Sequence, residues 1–309
     1  MTDSATRKDT MTTTTRSPIP SVDVLNWTEI GHRLDADGFA ITPPLLTPEQ
    51  CGSVRELFDA DELFRSTIVM ARYAYGEGCY RYFADPLPPL VQALRSQLYP
   101  PIARIANGWA ARLGERTYPE TLDGLLDECA AVGQTRPTPL VLRYGPSGYN
   151  CLHQDIYGEL AFPLQFLVML SRPDEDFTGG ESVFVEQRPR QQSRPMVARP
   201  GRGQAVIFTV HHRPRLGARG YHRVQMRHGV SAVHTGQRDV LGVIFHNARS
   251  PGSDLSSDGP GIPISRRGAR RRPGGQAGDF ASGSPLSTTP VAGLMARVRP
   301  CETSSLAFS

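Results

Sequence analysis

Residues 162–170, Phe-Pro-Leu-Gln-Phe-Leu-Val-Met-Leu, form a short β-rich run, and it does not stand alone. Pro139-Leu140-Val141-Leu142-Arg143-Tyr144 precedes it. Glu181-Ser182-Val183-Phe184-Val185, Ala205-Val206-Ile207-Phe208-Thr209-Val210 and Val240-Leu241-Gly242-Val243-Ile244-Phe245 follow, all parted by Gly and Pro clusters. Short strands at such spacing argue for an antiparallel sandwich or jelly roll.

Upstream of residue 135 the texture is helical. Apolar residues recur at roughly helical spacing over residues 24–34, then Asp37-Gly38 turns the chain into a short strand, Phe39-Ala40-Ile41. Thr47-Pro48-Glu49-Gln50 sets an N-cap, a first-turn proline and a capping-box glutamine in order, opening a helix toward Phe58. Further helices are expected over residues 89–98, 101–113 and 119–131, each begun by a proline. The class is therefore α+β, with a helical layer (22–134) flanking a β core (135–248). Residues 1–21, polar and Thr-rich, and residues 249–309, rich in Arg, Ser, Gly and Pro, are expected to be disordered.

With 309 residues and 39% hydrophobic content, the chain can bury a full-sized core. No apolar run approaches the roughly 18 residues of a membrane span, and the start lacks a secretory signal, which points to a cytoplasmic protein. Five scattered cysteines, never in a C-x-x-C pair, suggest neither a disulfide framework nor a thiolate zinc site. The net charge of +4 rests almost wholly on arginine and is a weak pointer to an acidic partner.

The chemistry gathers at His153-Gln154-Asp155. Residues i and i+2 of a strand face the same side, so an imidazole and a carboxylate stand together. His228, 75 positions later, would complete a two-His, one-carboxylate face. Such a set suits iron(II): it covers one face of an octahedron and leaves three positions, two for a keto acid and one for dioxygen. Arg238 follows His228 by ten positions, just past Thr235-Gly236, where a guanidinium can fork onto the C5 carboxylate of 2-oxoglutarate. Rival readings remain at this stage: His222 or His234 as the third ligand, and a structural ion pair between Arg238 and Glu181.

The order His153-x-Asp155, Gly179-Gly180-Glu181, His228 and Arg238 resembles the iron(II)- and 2-oxoglutarate-dependent oxygenase superfamily. The resemblance spans residues of about 35 to 248 and implies a double-stranded β-helix core flanked by N-terminal helices. It implies His153, Asp155 and His228 as metal ligands, Arg238 at the cosubstrate, and iron(II), 2-oxoglutarate and dioxygen as reactants. In prolyl-hydroxylase-like members the strand matching Leu142-Arg143-Tyr144-Gly145 carries a tyrosine that touches the cosubstrate, which makes Tyr144 the candidate here. Residues 135–140, 149–155 and 211–214 further resemble a bacterial branch described as oxygenases of damaged nucleic acid. That branch implies a single-stranded or damaged nucleic acid as partner. Alternatives are a protein side-chain hydroxylase of the prolyl-hydroxylase type and a non-catalytic, metal-stabilised nucleic-acid-binding module.

Two peripheral features complete the reading. Residues 72–83 read as a hairpin whose arms carry tyrosines and arginines around a Gly-rich turn, either a substrate lid or a packed hairpin. Arg213, Arg215, Arg219, Arg223 and Arg227 are expected to ring the pocket mouth or to form a solvated loop. His211 and His212 read as supporting or surface residues.

Overall fold

The computed structural model describes residues 22–249 apart from Tyr157 and Pro189; the expectations for residues 1–21 and for the tail from 250 onward lie outside the described residues. Among the described residues there are four α-helices: α1 (Trp27–Asp37), α2 (Pro48–Glu56), α3 (Pro89–Leu113) and α4 (Leu122–Ala131). The cap of α2 forms as read: Thr47 Oγ1 accepts from the Gln50 N–H at 3.2 Å, and Gln50 Oε1 accepts from the Thr47 N–H at 3.0 Å.

Two helix expectations need correction. Residues 89–113 form one helix, not two, with Pro100 and Pro101 inside it. Its apolar face, Val91, Leu94, Leu98, Ile102, Ala106 and Trp109, runs unbroken past the prolines at helical spacing, and the core contact outweighs the lost backbone bonds. Pro119 does not open α4; Thr121 does, accepting from the Gly124 N–H at 3.2 Å, while the Pro119 carbonyl accepts from the Tyr99 hydroxyl at 2.8 Å.

Fifteen strands follow in chain order: β1 (Phe39–Pro44), β2 (Phe64–Val69), β3 (Gly76–Glu77), β4 (Cys79–Phe83), β5 (Leu140–Tyr144), β6 (Tyr149–His153), β7 (Leu164–Met169), β8 (Phe177–Gly179), β9 (Ser182–Gln187), β10 (Arg194–Ala198), β11 (Gln204–Thr209), β12 (His212–Gly217), β13 (Gly220–Val230), β14 (Val233–Gly236) and β15 (Arg238–Val243). Seven make one sheet in the order β1-β11-β7-β15-β5-β4-β2. A second sheet runs β10-β9-β13-β6-β3, with β12 paired to β13, and β8 with β14 forms a short ribbon.

Strand alternation decides the layers. On β15, Leu241 and Val243 join α3, Phe166 and Val168 in the core between helices and sheet, whereas Val240 faces the second sheet with Leu140, Tyr144 and Met169. Further along, Phe184 and Met226 from the second sheet pack on Val206 and Phe208 from the first, and Phe39 stacks on Phe184 at 4.7 Å. The result is an antiparallel jelly roll with helices on the outer face of the larger sheet, the α+β architecture expected.

Of the two readings of the arginines at 213–227, the solvated one fits Arg219, Arg223 and Arg227, whereas Arg213 fits neither. Arg213 is buried and ion-paired to the equally buried Glu186, which Arg215 and Arg188 also approach. Arg223 pairs with Glu115 at 2.5 Å, Arg219 and Arg227 are exposed, and none of the five lines the central cavity. Removing one member of a buried pair strands the other charge and costs about 3–5 kcal/mol. Glu186→Ala should therefore lower the melting temperature by about 10 °C in a domain of this size, read by calorimetry. A shift of no more than about 2 °C would mean that water already satisfies Arg213.

Candidate active site

β6 and β13 are neighbours, and their register sets His153 directly opposite His228. The two rings lie 4.2 Å apart between centroids. Asp155, two residues past the end of the His153 strand, inserts its carboxylate between them: Oδ1 lies 3.3 Å from His153 Nε2 and Oδ2 3.2 Å from His228 Nε2. One ligand atom from each of the three residues falls within 4.8 Å of the others, the sole such group of His, Cys, Asp and Glu among the described residues.

The electrostatics fit a cation. Burial disfavours ionised Asp155, yet the His228 and His153 rings outweigh it and hold the carboxyl well below the usual range. Burial likewise opposes charge on His153, but Asp155 and the Cys151 carbonyl raise its pKa overall. His228 shifts down, through burial and then repulsion from His153. The two rings thus flank one buried anion, whose charge a divalent ion can balance in place of a proton. His153 Nδ1 stands 2.8 Å from the Cys151 carbonyl. Since a carbonyl only accepts, Nδ1 carries the proton, and Nε2 is the nitrogen offered to the shared space.

Two glutamines that the sequence reading passed over hold this group. Gln165 Nε2 donates to Asp155 Oδ2 at 2.6 Å, reaching across from β7 of the opposite sheet. Gln154 turns the other way, donating to the carbonyls of His211 and Met226 at 3.0 and 2.8 Å. It thereby fixes the backbone between the two first ligands. His211 and His212 belong neither to the ligand group nor to the cavity lining; their rings contact each other, and His212 Nε2 meets Glu115 at 3.0 Å.

Arg238 and Tyr144 are also register partners, on β15 and β5. The Arg238 side chain is 1% exposed, its guanidinium carbon lies 5.4 Å from the Tyr144 ring, and Nη2 donates to Ser182 Oγ at 3.2 Å. Its Nε has no hydrogen-bond partner, and no carboxylate pairs with it among the described residues. Asp239, next in sequence, faces the other side of β15 and is taken by Arg55 and Arg143 at 2.9 and 2.8 Å. Glu181 accepts from the Ser231 hydroxyl instead of pairing with Arg238. Burial accordingly lowers the Arg238 pKa. Gly180 makes the placement possible: at φ +64°, an added Cβ would lie 3.0 Å from Arg238 Cδ and 2.8 Å from Val233 Cγ2.

One cavity of about 130 Å³ contains all of these groups, His153, Asp155, His228, Arg238, Tyr144 and Ser182. Its remaining wall is mainly apolar and aromatic, including Tyr75, Tyr80, Tyr82, Leu142 and Ile244. The segment 72–83 is not a self-contained hairpin. β4 pairs with β2, not with residues 72–75, and Gly76–Glu77 crosses to the second sheet to pair with β6. Tyr73, 41% exposed, stacks on Tyr75 at 5.5 Å. His222 and His234, the rival ligands, are exposed and outside the cavity.

The sequence pattern of a family described as an oxygenase catalysing oxidative methylation of damaged DNA matches residues 78–248. The chain belongs to this family, and it is an oxygenase. Two uncharacterized proteins of Mycobacterium tuberculosis, from strains CDC 1551 / Oshkosh and ATCC 25618 / H37Rv, are each 46% identical over 167 residues, 54% of this chain and 72% of theirs. Among solved structures, a Pseudomonas putida prolyl-4-hydroxylase is 13% identical with a TM-score of 0.43, covering 72% of this chain and 100% of the other. An oxidoreductase of the 2OG-Fe(II) oxygenase family from Burkholderia pseudomallei is 16% identical with a TM-score of 0.45, covering 73% and 94%. No helix among the described residues is long and apolar enough to cross a membrane.

Proposed function

We propose that this oxygenase uses iron(II) and 2-oxoglutarate, with His153, Asp155 and His228 holding the metal and Arg238 and Ser182 holding the far carboxylate of the keto acid. The observation that carries the reading is the buried, carboxylate-free Arg238 guanidinium in the same cavity as the His-Asp-His group. A buried cation without a counter-ion is costly, and a ligand carboxylate removes that cost by a forked hydrogen-bonded pair.

Bound iron supplies dioxygen activation coupled to oxidative decarboxylation of the keto acid. The protein's own residues do the rest. Cys151 and Gln165 orient His153 and Asp155, so each ligand meets the metal with a fixed atom. Arg238 would anchor the keto acid by its far carboxylate, in the cavity that His153, Asp155 and His228 also line. The apolar wall of Leu142, Val240 and Ile244 excludes water.

For the substrate, the family description names damaged DNA, which supports a damaged nucleic acid, with alkylated bases as our reading, and the tyrosine wall offers faces on which a base can stack. Hydroxylation of a carbon borne on nitrogen would then lead to demethylation. A cytoplasmic location follows from such a substrate. Succinate release from methylated oligonucleotides, set against peptides, tests this: stimulation by peptides alone would overturn the nucleic-acid assignment.

Linkage offers a test that needs no substrate. At about 100 times its Kd, 2-oxoglutarate should stabilise the iron-loaded protein by about 2.7 kcal/mol, roughly 5–10 °C in melting temperature. Without metal the shift should be much smaller. Equal shifts with and without metal would remove the metal from the binding site of the keto acid.

A further inference from the structure

β6, which carries His153, is a poorly packed strand. Tyr149 and Leu152 are 39% and 43% exposed, and Cys151 is exposed as well. With few side chains in the core, its position depends on the backbone ladders on its two sides. One side is β13, which carries His228. The other is only the two-residue β3, where Gly76 faces Asn150 and Glu77 faces Tyr149.

At this short ladder one residue joins the cavity wall to the metal group. The Tyr75 carbonyl accepts from the Cys151 N–H at 2.8 Å. The Cys151 carbonyl in turn accepts from His153 Nδ1 at 2.8 Å. Tyr75 itself lines the cavity. β3 approaches β6 so closely because position 76 has no side chain: an added Cβ would lie 2.3 Å from the Tyr149 carbonyl oxygen and 3.1 Å from Asn150 Cα, at a φ of +135°.

We infer that the strap of residues 74–77 is a positioning element for His153, with Gly76 as its positioning residue, so that the wall of the cavity and the support of the ligand are one piece of chain. It rests on the metal reading of the site. Detaching the strap frees the edge of β6 that faces β3, and the carbonyl that orients the His153 ring moves with it. Partners that orient a ligand from outside the metal's own sphere typically contribute 10–100-fold to metal affinity. Coupling is reciprocal, so iron should also tighten the strap.

The test is anaerobic iron(II) titration of the full chain against a competing chelator, with melting temperature and amide hydrogen exchange measured alongside. Gly76→Ala is expected to lose roughly 10–100-fold in iron affinity. The Cys151 amide should exchange faster, and the variant should keep a cooperative melt. Tyr73→Ala, one residue before the strap and outside the ladder, should bind iron as the unaltered chain does. A Gly76→Ala protein with a fast Cys151 amide and unchanged iron affinity overturns the inference. If Gly76→Ala does not fold, the unaltered chain decides: iron should slow exchange at Cys151, and no change there overturns the inference equally. Failure of the unaltered chain to bind iron would instead sink the metal reading itself.

Discussion

Asp155→Ala is expected to weaken iron(II) binding by more than about 100-fold, beyond the range that loss of an orienting partner produces. The carboxylate is the only anion between two imidazoles, and it supplies the negative charge that a dication needs in a buried site. Its loss leaves His153 and His228 facing each other at 4.2 Å with no anion to offset the charge of the metal. Gln165→Leu, which removes the donor to Asp155 Oδ2, should cost less, about 10–100-fold. The pH dependence has a definite sign. Because Asp155 raises the His153 pKa, a proton competes with the metal at that ring. Iron affinity should therefore fall as the pH drops through the raised value, by up to about tenfold per unit for one displaced proton. Isothermal titration under argon measures both effects. An Asp155→Ala protein that binds iron like the unaltered chain would remove the carboxylate from the metal site.

The sites that were legible in the sequence owe this to local geometry. His153 and Asp155 stand two apart, a spacing that shares one side in a strand; β6 ends at His153, and Asp155 reaches the same space from the segment just beyond it. Arg238 follows a turn at Thr235-Gly236 and opens a strand, so its direction relative to His228 was constrained over a short stretch of chain. The strand runs were equally plain, because β5, β7, β11 and β15 are largely buried and each carries a mainly apolar run, broken only by Arg143, Gln165 and the polar residues that open β11 and β15. What was not legible depends on pairing between distant segments. Nothing local in residues 72–83 says that β4 takes β2 as partner while Gly76 crosses to the other sheet. Nor does the run of arginines reveal that a buried Glu186 draws Arg213 inward. Gln165 did leave a trace: it is the one polar residue inside the apolar run 162–170, and a lone amide there needs a partner to satisfy it. The prolines at 100 and 101 misled because their local rule was outvoted by a core face that continues on both sides of them.

Arg238→Met should move stability and function in opposite directions. In the ligand-free protein, Arg238 is buried with one neutral hydrogen bond to Ser182 and an unsatisfied Nε, and burial alone pushes its pKa down. Methionine fills similar space without a charge to desolvate, so the metal-free variant should be more stable by about 1–3 kcal/mol. The melting temperature should then rise by several degrees. The requirement for 2-oxoglutarate should rise far more. Truncating one partner of a buried, hydrogen-bonded charge pair costs about 2–5 kcal/mol, which corresponds to roughly 1.5 to 3.5 orders of magnitude in the concentration needed. Iron affinity should change little, since Arg238 contacts none of the three ligands. Arg238→Lys should recover only part of the loss, because an ammonium keeps the charge but not the fork. The opposed signs make this a sharper test than loss of activity. A general packing defect would lower stability and cosubstrate affinity together, whereas a site kept charged for a ligand trades one against the other. If Arg238→Met melts below the unaltered protein, or requires no more 2-oxoglutarate, the guanidinium serves the fold and the keto acid is held elsewhere.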